Sequence, residues 1–114
     1  METTQGEIYF IREHEVGGFS PYTKIGLITY KNDRNSQSRI SEHQTGNPRE
    51  LYIESVVKTD LVELVETLLH KNFAPLGVRG EWMLLNATQL SEVQKNAEQL
   101  AIEAKEITAD LQRA

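Results

Sequence analysis

The sequence contains no cysteine among its 114 residues, which excludes disulfide bonds and thiolate metal sites. It also has no apolar run near the ~20 residues that a membrane-spanning helix needs. Its first residues, METTQGE, have neither the basic region nor the apolar core of a secretory signal. These absences predict a cytoplasmic protein. They leave carboxylates, histidines and water as the ligands available to a metal ion.

An excess of basic residues is also missing, because 12 Lys and Arg face 17 Asp and Glu for a net charge of −5. Enzymes that act on nucleic acids usually carry a strongly basic face. The acidic balance therefore predicts a modest, salt-sensitive affinity for DNA. A local basic patch is still compatible with the first half of the chain, where five basic residues cluster: Lys24, Lys31, Arg34, Arg39 and Arg49.

Length and composition predict one compact domain of the α+β class. An apolar share of 39% and a charged share of 25% are ordinary for a soluble protein, and 114 residues suffice for a single core. Runs rich in β-branched and aromatic residues predict strands over 7–12, 22–29 and 50–57. Residues 14–21 and 74–80 are predicted as loops, and 81–85 as a strand or an extended segment. We therefore expect a small, mainly antiparallel three-stranded sheet flanked by helices.

Two helices are predicted before residue 85. Ser36–Gln44 forms a short helix, which Asp33 or Asn35 can cap and Gly46 can end. Residues 60–72 form the second helix, which opens on a capping-box-like pattern with aspartate in place of Ser or Thr. Apolar residues cover most of its circumference, which predicts a buried helix.

A third, long helix is predicted for residues 86–114. Its apolar residues recur in steps of three and four: Leu90, Val93, Ala97, Leu100, Ala104, Ile107 and Leu111. Such a stripe most often packs on its own domain. Alternatively, it forms a coiled coil that pairs two chains into a homodimer or links to a further domain. The predicted division is a domain over residues 1–85 followed by this C-terminal helix.

Residues 7–83 contain five short elements in order: Ile8-Tyr9, Lys24-Ile25-Gly26, RISEHQTGNP from Arg39 to Pro48, ETLLHKNF from Glu66 to Phe73, and VRGEW from Val78 to Trp82. In their composition and order these elements resemble the GIY-YIG endonuclease superfamily. They are most similar to the branch of the meiotically up-regulated gene 113 protein and related phage open reading frames, in which a lysine commonly precedes the Ile-Gly pair.

The resemblance implies a Mg²⁺- or Mn²⁺-dependent endonuclease that cleaves DNA, with RNA as the alternative substrate, in phage biology or in defence against mobile elements. It makes Tyr9 the residue that aligns or activates water and Glu66 the metal ligand. The chemistry agrees, because one carboxylate suffices for hydrated Mg²⁺ and the planar fork of Arg39 suits phosphate. His43 lies at i+4 from Arg39 and can assist the phenol, while Lys24 can bind phosphate or protonate the leaving oxygen. We expect these five side chains to line one face of the sheet.

Two differences from the superfamily pattern favour a second function class. Lys24 stands where the second tyrosine would be, and the late asparagine has no clear counterpart, since its position falls near Glu81 with Asn86 a few residues further on. Together with the acidic charge, these differences support a catalytically inactive module that binds nucleic acid or protein. In a purely structural interpretation, Glu66 would pair with His70 on the same helix or with Arg79.

Overall fold

A computed structural model describes residues 4–15, 18–31, 34–45 and 50–113 of the chain. Within these residues, five β-strands form one antiparallel sheet with three α-helices packed against it. The strands are β1 (Gly6–Glu15), β2 (Gly18–Thr29), β3 (Leu51–Thr59), β4 (Gly77–Arg79) and β5 (Trp82–Leu84). The helices are α1 (Ser36–Gln44), α2 (Val62–Asn72) and α3 (Ala87–Arg113), and a short 3-10 helix covers Ala74–Leu76. The strand order across the sheet is β3-β1-β2-β5-β4, and the α+β class is as predicted.

The prediction of a three-stranded sheet is wrong, because β4 and β5 extend the sheet beyond β2. β5 pairs with β2 from Lys24 opposite Trp82 to Tyr22 opposite Leu84. β4 and β5 are connected through Gly80, whose φ of +57° lies in the left-handed region that favours glycine. All three residues of β4 are exposed, so its sequence carries no apolar alternation. Pairing with β5, which is not a local property of the sequence, makes this segment a strand.

The first hairpin is also longer than predicted. β1 continues to Glu15 and β2 begins at Gly18, so most of the predicted loop over residues 14–21 is strand. Residues 16–17 lie outside the described part of the chain. Glycine, proline and polar residues have a low propensity for strands, so the sequence does not predict a strand here. These residues are strand because the antiparallel pairing of β1 with β2 supplies their backbone hydrogen bonds.

β1 is buried on both faces of the sheet, which explains its uninterrupted apolar sequence. Ile8 and Phe10 belong to the main core beneath α2 and α3. Tyr9 and Ile11 point to the opposite face, where α1 covers them through Ile40. All four β1 residues have 0% exposure. The sheet therefore has a core face under two helices and a second face under α1.

α1 spans the residues predicted for it. The side chain of Asn35 caps the helix by accepting a hydrogen bond from the backbone N–H of Ser38 at 3.1 Å. The other predicted cap, Asp33, and the predicted stop, Gly46, lie outside the described residues. The cap orients α1 across the second face of the sheet.

α2 begins at Val62, two residues later than predicted. The expected aspartate cap is wrong, because the Asp60 carboxylate accepts a hydrogen bond from Gln5 Nε2 at 3.2 Å instead. The first helical N–H, that of Val62, donates to the backbone carbonyl of Thr4 at 3.1 Å. The Thr4 carbonyl, just before β1, thus accepts the first N–H of α2, as a side-chain cap would do.

α3 packs along the domain on β3 and α2 and contributes to the main core. Its buried residues are Leu90, Val93, Ala97, Ala104 and Thr108. Ile107 and Leu111 of the predicted stripe are exposed. After Ala104 the next buried residue is Thr108 rather than Ile107. A straight helix has 3.6 residues per turn, so a seven-residue repeat drifts away from the buried face along its length. Within the described residues, no helix combines the length and apolar character that crossing a membrane requires.

Candidate active site

Tyr9 stands at the centre of the face that α1 covers. Its partner on β2 is Gly26, so the phenol lies across a residue without a side chain. A Cβ at Gly26 would overlap the hydroxyl end of Tyr9 and would lie 2.6 Å from Glu81 Oε2. Glycine at this position therefore leaves the space in which the phenol and the Glu81 carboxylate meet.

Replacement of Gly26 by alanine is expected to lower the free energy of unfolding by about 1–3 kcal/mol, since an added methyl group overpacks this contact. Urea denaturation measures the change. Gly77→Ala is the matched control, because its Cβ would meet only the Ala74 carbonyl at 3.3 Å and its φ is −67°. Equal losses for the two variants would contradict the close approach of Tyr9 to Gly26.

α1 brings two of the predicted site residues to Tyr9. Arg39 and His43 lie one turn apart and flank the buried Ile40, so both side chains approach the sheet. His43 Nε2 is 3.2 Å from the Tyr9 hydroxyl, and the two ring centroids are 5.9 Å apart. His43 Nδ1 is 3.4 Å from Lys24 Nζ on β2. The Lys24 ammonium also lies 5.7 Å from the centroid of the Trp82 ring.

Hydrogen bonds connect these groups in one direction. The Lys24 ammonium can only donate, so His43 Nδ1 accepts and the proton of neutral His43 is on Nε2. His43 Nε2 then donates to the Tyr9 hydroxyl oxygen. The Tyr9 hydroxyl in turn donates to Glu81 Oε2 at 3.3 Å. We call this series, Lys24 to His43 to Tyr9 to Glu81, the Lys24–Glu81 chain.

The electrostatic environment keeps both rings of this chain neutral near pH 7. Burial raises the pKa of Tyr9 to about 12, with the nearby Arg39 opposing the rise and Glu81 adding to it. Burial also lowers the pKa of His43, and the charges of Lys24 and Arg39 lower it further, although Glu81 opposes them. His43 is therefore uncharged at pH 7, which agrees with the direction of the hydrogen bonds.

Arg39 lies beside Tyr9 and forms an ion pair with Glu42 on the same helix. Its Nη1 donates to Glu42 Oε2 at 2.9 Å, and Glu42 also pairs with Arg34. Arg39 Nε is buried and has no hydrogen-bond partner within the described residues. A guanidinium has five N–H donors, so donors remain for a phosphate group.

Glu66 does not share the face of the other four residues, since α2 packs on the core face. Hydrogen bonds of the Ile25 backbone on β2 connect the segment that carries Glu81 with His70, which lies one turn after Glu66 on α2. The Ile25 N–H donates to the Glu81 carbonyl at 3.1 Å, and the Ile25 carbonyl accepts from His70 Nε2 at 2.9 Å. That same nitrogen is 3.5 Å from Glu66 Oε1. One strand residue thus positions the segments that carry Glu66 and Glu81.

The two carboxylates fit a hydrated divalent cation. Burial raises the pKa of Glu66, the adjacent His70 lowers it, and the negative charge of Glu81 raises it. A cation would relieve this repulsion, and Mg²⁺ commonly binds through one or two carboxylates while keeping several waters. No group of three or more His, Cys, Asp or Glu residues is arranged for a metal within the part of the chain that the structure describes. If a divalent ion binds beside these carboxylates, water would complete its coordination.

The sequence interpretation considered Glu81 only as the place of a missing asparagine, and the structure brings it to Tyr9. The other candidate position, Asn86, belongs to the start of α3. Its side chain accepts from the Gln89 N–H at 2.8 Å, while Gln89 Oε1 accepts from the Asn86 N–H at 3.0 Å. This reciprocal pair is a helix cap. The VRGEW element, in which Glu81 directly follows Gly80, was the local sequence signal for this residue.

The sequence profile of the T5orf172 domain matches residues 6–98, and the chain belongs to this family. The matched region begins with β1, ends within α3 and includes every residue of the site described above. No curated protein and no solved structure matches the chain significantly.

Proposed function

We propose that this T5orf172-domain protein is a divalent-metal-dependent endonuclease of the GIY-YIG type that hydrolyses phosphodiester bonds in DNA. The observation that carries the proposal is the meeting of distant residues at the Tyr9 hydroxyl. His43 from α1 and Glu81 from the β4–β5 turn lie 3.2 Å and 3.3 Å from it, and Arg39 lies beside it. Membership of the T5orf172 family supports a nuclease-like or DNA-binding function.

In this proposal Arg39 and Lys24 bind the scissile phosphate from the α1 side. Both are cationic and both lie within the group around His43, so their charges oppose the negative charge that grows on the phosphate oxygens. Arg39 offers a planar guanidinium for this contact, whereas the Lys24 ammonium is a compact point charge. The two residues also offset locally the net charge of −5.

Tyr9 orients the attacking water through its hydroxyl oxygen. Its ring is fixed by the packing against Gly26 and by the hydrogen bonds to His43 and Glu81. In this proposal Glu66 would hold the metal ion, and the negative charge of Glu81, which raises the pKa of Glu66 after burial does, would add to the attraction for it. When bound, Mg²⁺ or Mn²⁺ supplies charge neutralisation at the phosphate and lowers the pKa of bound water.

A plasmid-nicking assay tests the proposed function. The wild-type protein is expected to convert supercoiled plasmid to the open circular form with Mg²⁺ or Mn²⁺ at low salt, and not with EDTA. Arg39→Lys is expected to lower the nicking rate by about 10²-fold, because lysine cannot reproduce the planar set of donors on the phosphate. Agarose gels over time give the rates.

Arg34→Lys is the matched control, since Arg34 pairs with the same Glu42 but is not part of the contacts to Tyr9. Its nicking rate should remain that of the wild type. If the wild-type protein shifts plasmid in a binding gel but nicks none with either metal, the enzyme proposal fails. The inactive DNA-binding module is then the function that remains.

A further inference from the structure

We propose that the sheet beside the candidate site stacks the unpaired bases of single-stranded DNA on Tyr22, Trp82 and Leu84. We call these three side chains the stacking surface. The inference rests on the proposed nuclease function and names the class of its substrate, which is DNA that is single-stranded or locally unpaired where it is cut.

The strand registers place the stacking surface on the face of the sheet that α1 covers further along. Paired residues of neighbouring strands point to the same side of a sheet, and Ile11 on that face pairs with Lys24. Lys24 pairs in turn with Trp82, and two residues away Tyr22 pairs with Leu84. Trp82 also packs partly against the buried cluster that contains Ile11. The stacking surface is therefore continuous with the candidate site.

The stacking surface is accessible because it lies beyond the part of the sheet that α1 covers. Tyr22 is 39% exposed and Leu84 is 47% exposed, whereas Ile11 beneath α1 has 0% exposure. Trp82, next to this pair, is partly exposed. Exposed apolar side chains that occur singly need no explanation, but a contiguous group beside a candidate site marks a surface for binding.

Cations border the stacking surface on both sides of Trp82. Lys24 Nζ on β2 lies 5.7 Å from the centroid of the Trp82 ring. The exposed Arg79 pairs with Trp82 from β4, so the ring lies in a row between a lysine and an arginine across three adjacent strands. Aromatic rings bordered by cations suit a strand whose phosphates contact the cations while its bases stack on the rings. Because Lys24 also contacts the scissile phosphate in the proposed function, a neighbouring base would lie at Trp82.

The charge of the protein favours an unpaired strand over a duplex. Affinity for a duplex comes mostly from many phosphate contacts, and a net charge of −5 provides few of them. Stacking of bases on aromatic rings contributes affinity that does not require a basic protein. In a duplex the faces of the bases are stacked on one another, and a protein reaches only their edges and the phosphates. The stacking surface can therefore bind bases only where the strands are separated.

Tryptophan fluorescence tests the proposal, because Trp82 is the single tryptophan of the chain. The probe is an oligothymidylate of about ten nucleotides, within the range of a single-strand binding site, added in EDTA at low salt so that no cleavage occurs. It is expected to quench the emission to a plateau, since a stacked base quenches tryptophan. The same strand annealed to oligodeoxyadenylate, and an abasic strand of the same length, should leave the emission nearly unchanged.

Variants separate stacking from charge. Tyr22→Ser is expected to weaken binding of the oligothymidylate by about 10-fold, while Tyr22→Phe, which keeps the ring, binds as the wild type does. Ile102→Ser is the matched control, because Ile102 is an apolar residue of α3 with 54% exposure, and its affinity should not change. Arg79→Gln should reduce the slope of log affinity against log salt by about 0.7, the value for one phosphate contact on a single strand. Tyr22→Ser should leave that slope unchanged.

Three results would overturn the stacking surface. Quenching by the duplex or the abasic strand equal to that by the oligothymidylate would show that phosphate contacts alone account for binding. A loss in Tyr22→Phe as large as that in Tyr22→Ser would show that the ring does not stack. Emission that changes with the concentration of the protein, and not with the oligothymidylate, would make this surface an interface between two copies of the chain.

Plasmid nicking, measured separately, distinguishes the failure of this inference from the failure of the proposed function. A protein that nicks plasmid but is not quenched by the oligothymidylate keeps the nuclease proposal and loses the stacking surface. A protein that is quenched but nicks nothing with either metal keeps the stacking surface and loses the nuclease proposal.

Discussion

Replacement of Glu66 by alanine is expected to lower metal-dependent nicking by about 10³-fold or more while the protein stays folded. The loss corresponds to the several kcal/mol of charge stabilisation that a bound divalent ion supplies to the transition state. Glu66 is the half-buried carboxylate of α2 whose pKa is raised by burial and by the negative charge of Glu81. Without it, the remaining Glu81 does not hold the ion in the same place.

Stability should not fall with Glu66→Ala, because the folded protein opposes the charge of this carboxylate. Burial raises its pKa above the unfolded value, so charged Glu66 disfavours folding at pH 7 and its protonated form disfavours it less. Removal of the carboxylate relieves this cost and loses only the 3.5 Å contact to His70. Thermal unfolding followed by circular dichroism checks that the variant is folded.

Glu63→Ala is the control for this experiment, since Glu63 lies one turn earlier on α2 and is exposed. It should nick plasmid at the wild-type rate. Isothermal titration with Mg²⁺ or Mn²⁺ separates binding from catalysis and should show weaker binding only for Glu66→Ala. Wild-type rates for Glu66→Ala in both metals would show that Glu66 is not the metal ligand.

Truncation after Asn86 is expected to abolish cooperative unfolding. α3 buries Leu90, Val93 and Ala97 in the main core with at most 6% exposure. Full burial of a large apolar side chain contributes about 1.5–3 kcal/mol, and the truncation also exposes the apolar surfaces of α2 and β3 beneath the helix. The total approaches the roughly 5–15 kcal/mol by which a domain is stable. Urea denaturation of residues 1–86 is the measurement.

Truncation after Thr108 is the control, because Leu111 and Gln112, which it removes, are exposed. Its unfolding midpoint should remain close to that of the full chain. If residues 1–86 instead unfold cooperatively with nearly full stability, the domain division predicted at residue 85 is correct.

Light scattering on the full chain tests the alternative in which α3 pairs two chains into a homodimer, since Ile102, Ile107 and Leu111 of this helix are exposed.

Most secondary structure was predictable because its signals are local. The apolar β-branched runs of β1, β2 and β3 and the cap of α1 at Asn35 each occur within a few residues of chain. β5 lies within residues 81–85, which were predicted as a strand or an extended segment, whereas β4 lies in a predicted loop and is a strand because it pairs with β5. The cap at the start of α2 also comes from a residue far away in sequence, Thr4. Long-range pairing of this kind has no signature in a short window of sequence.

The residue types of the candidate site were predictable, whereas their contacts were not. Tyr9, Lys24, Arg39, His43 and Glu66 were singled out by a resemblance that names positions. Only the fold brings His43 to both Tyr9 and Lys24, and it places Glu66 on α2, the helix that packs on the core face. Their chemical roles remain proposals that the variants above test.

The sequence by itself determined which groups donate and accept protons, where the main strands and helices form, and that metal ligands would be oxygen or imidazole. The tertiary structure decided which of these groups meet. Glu81 reaches Tyr9 because β5 pairs with β2 in one register and because Gly26 leaves the space between them. A hydrogen bond requires its two atoms to lie within about 3.5 Å, and only the folded chain determines that distance between residues 9 and 81.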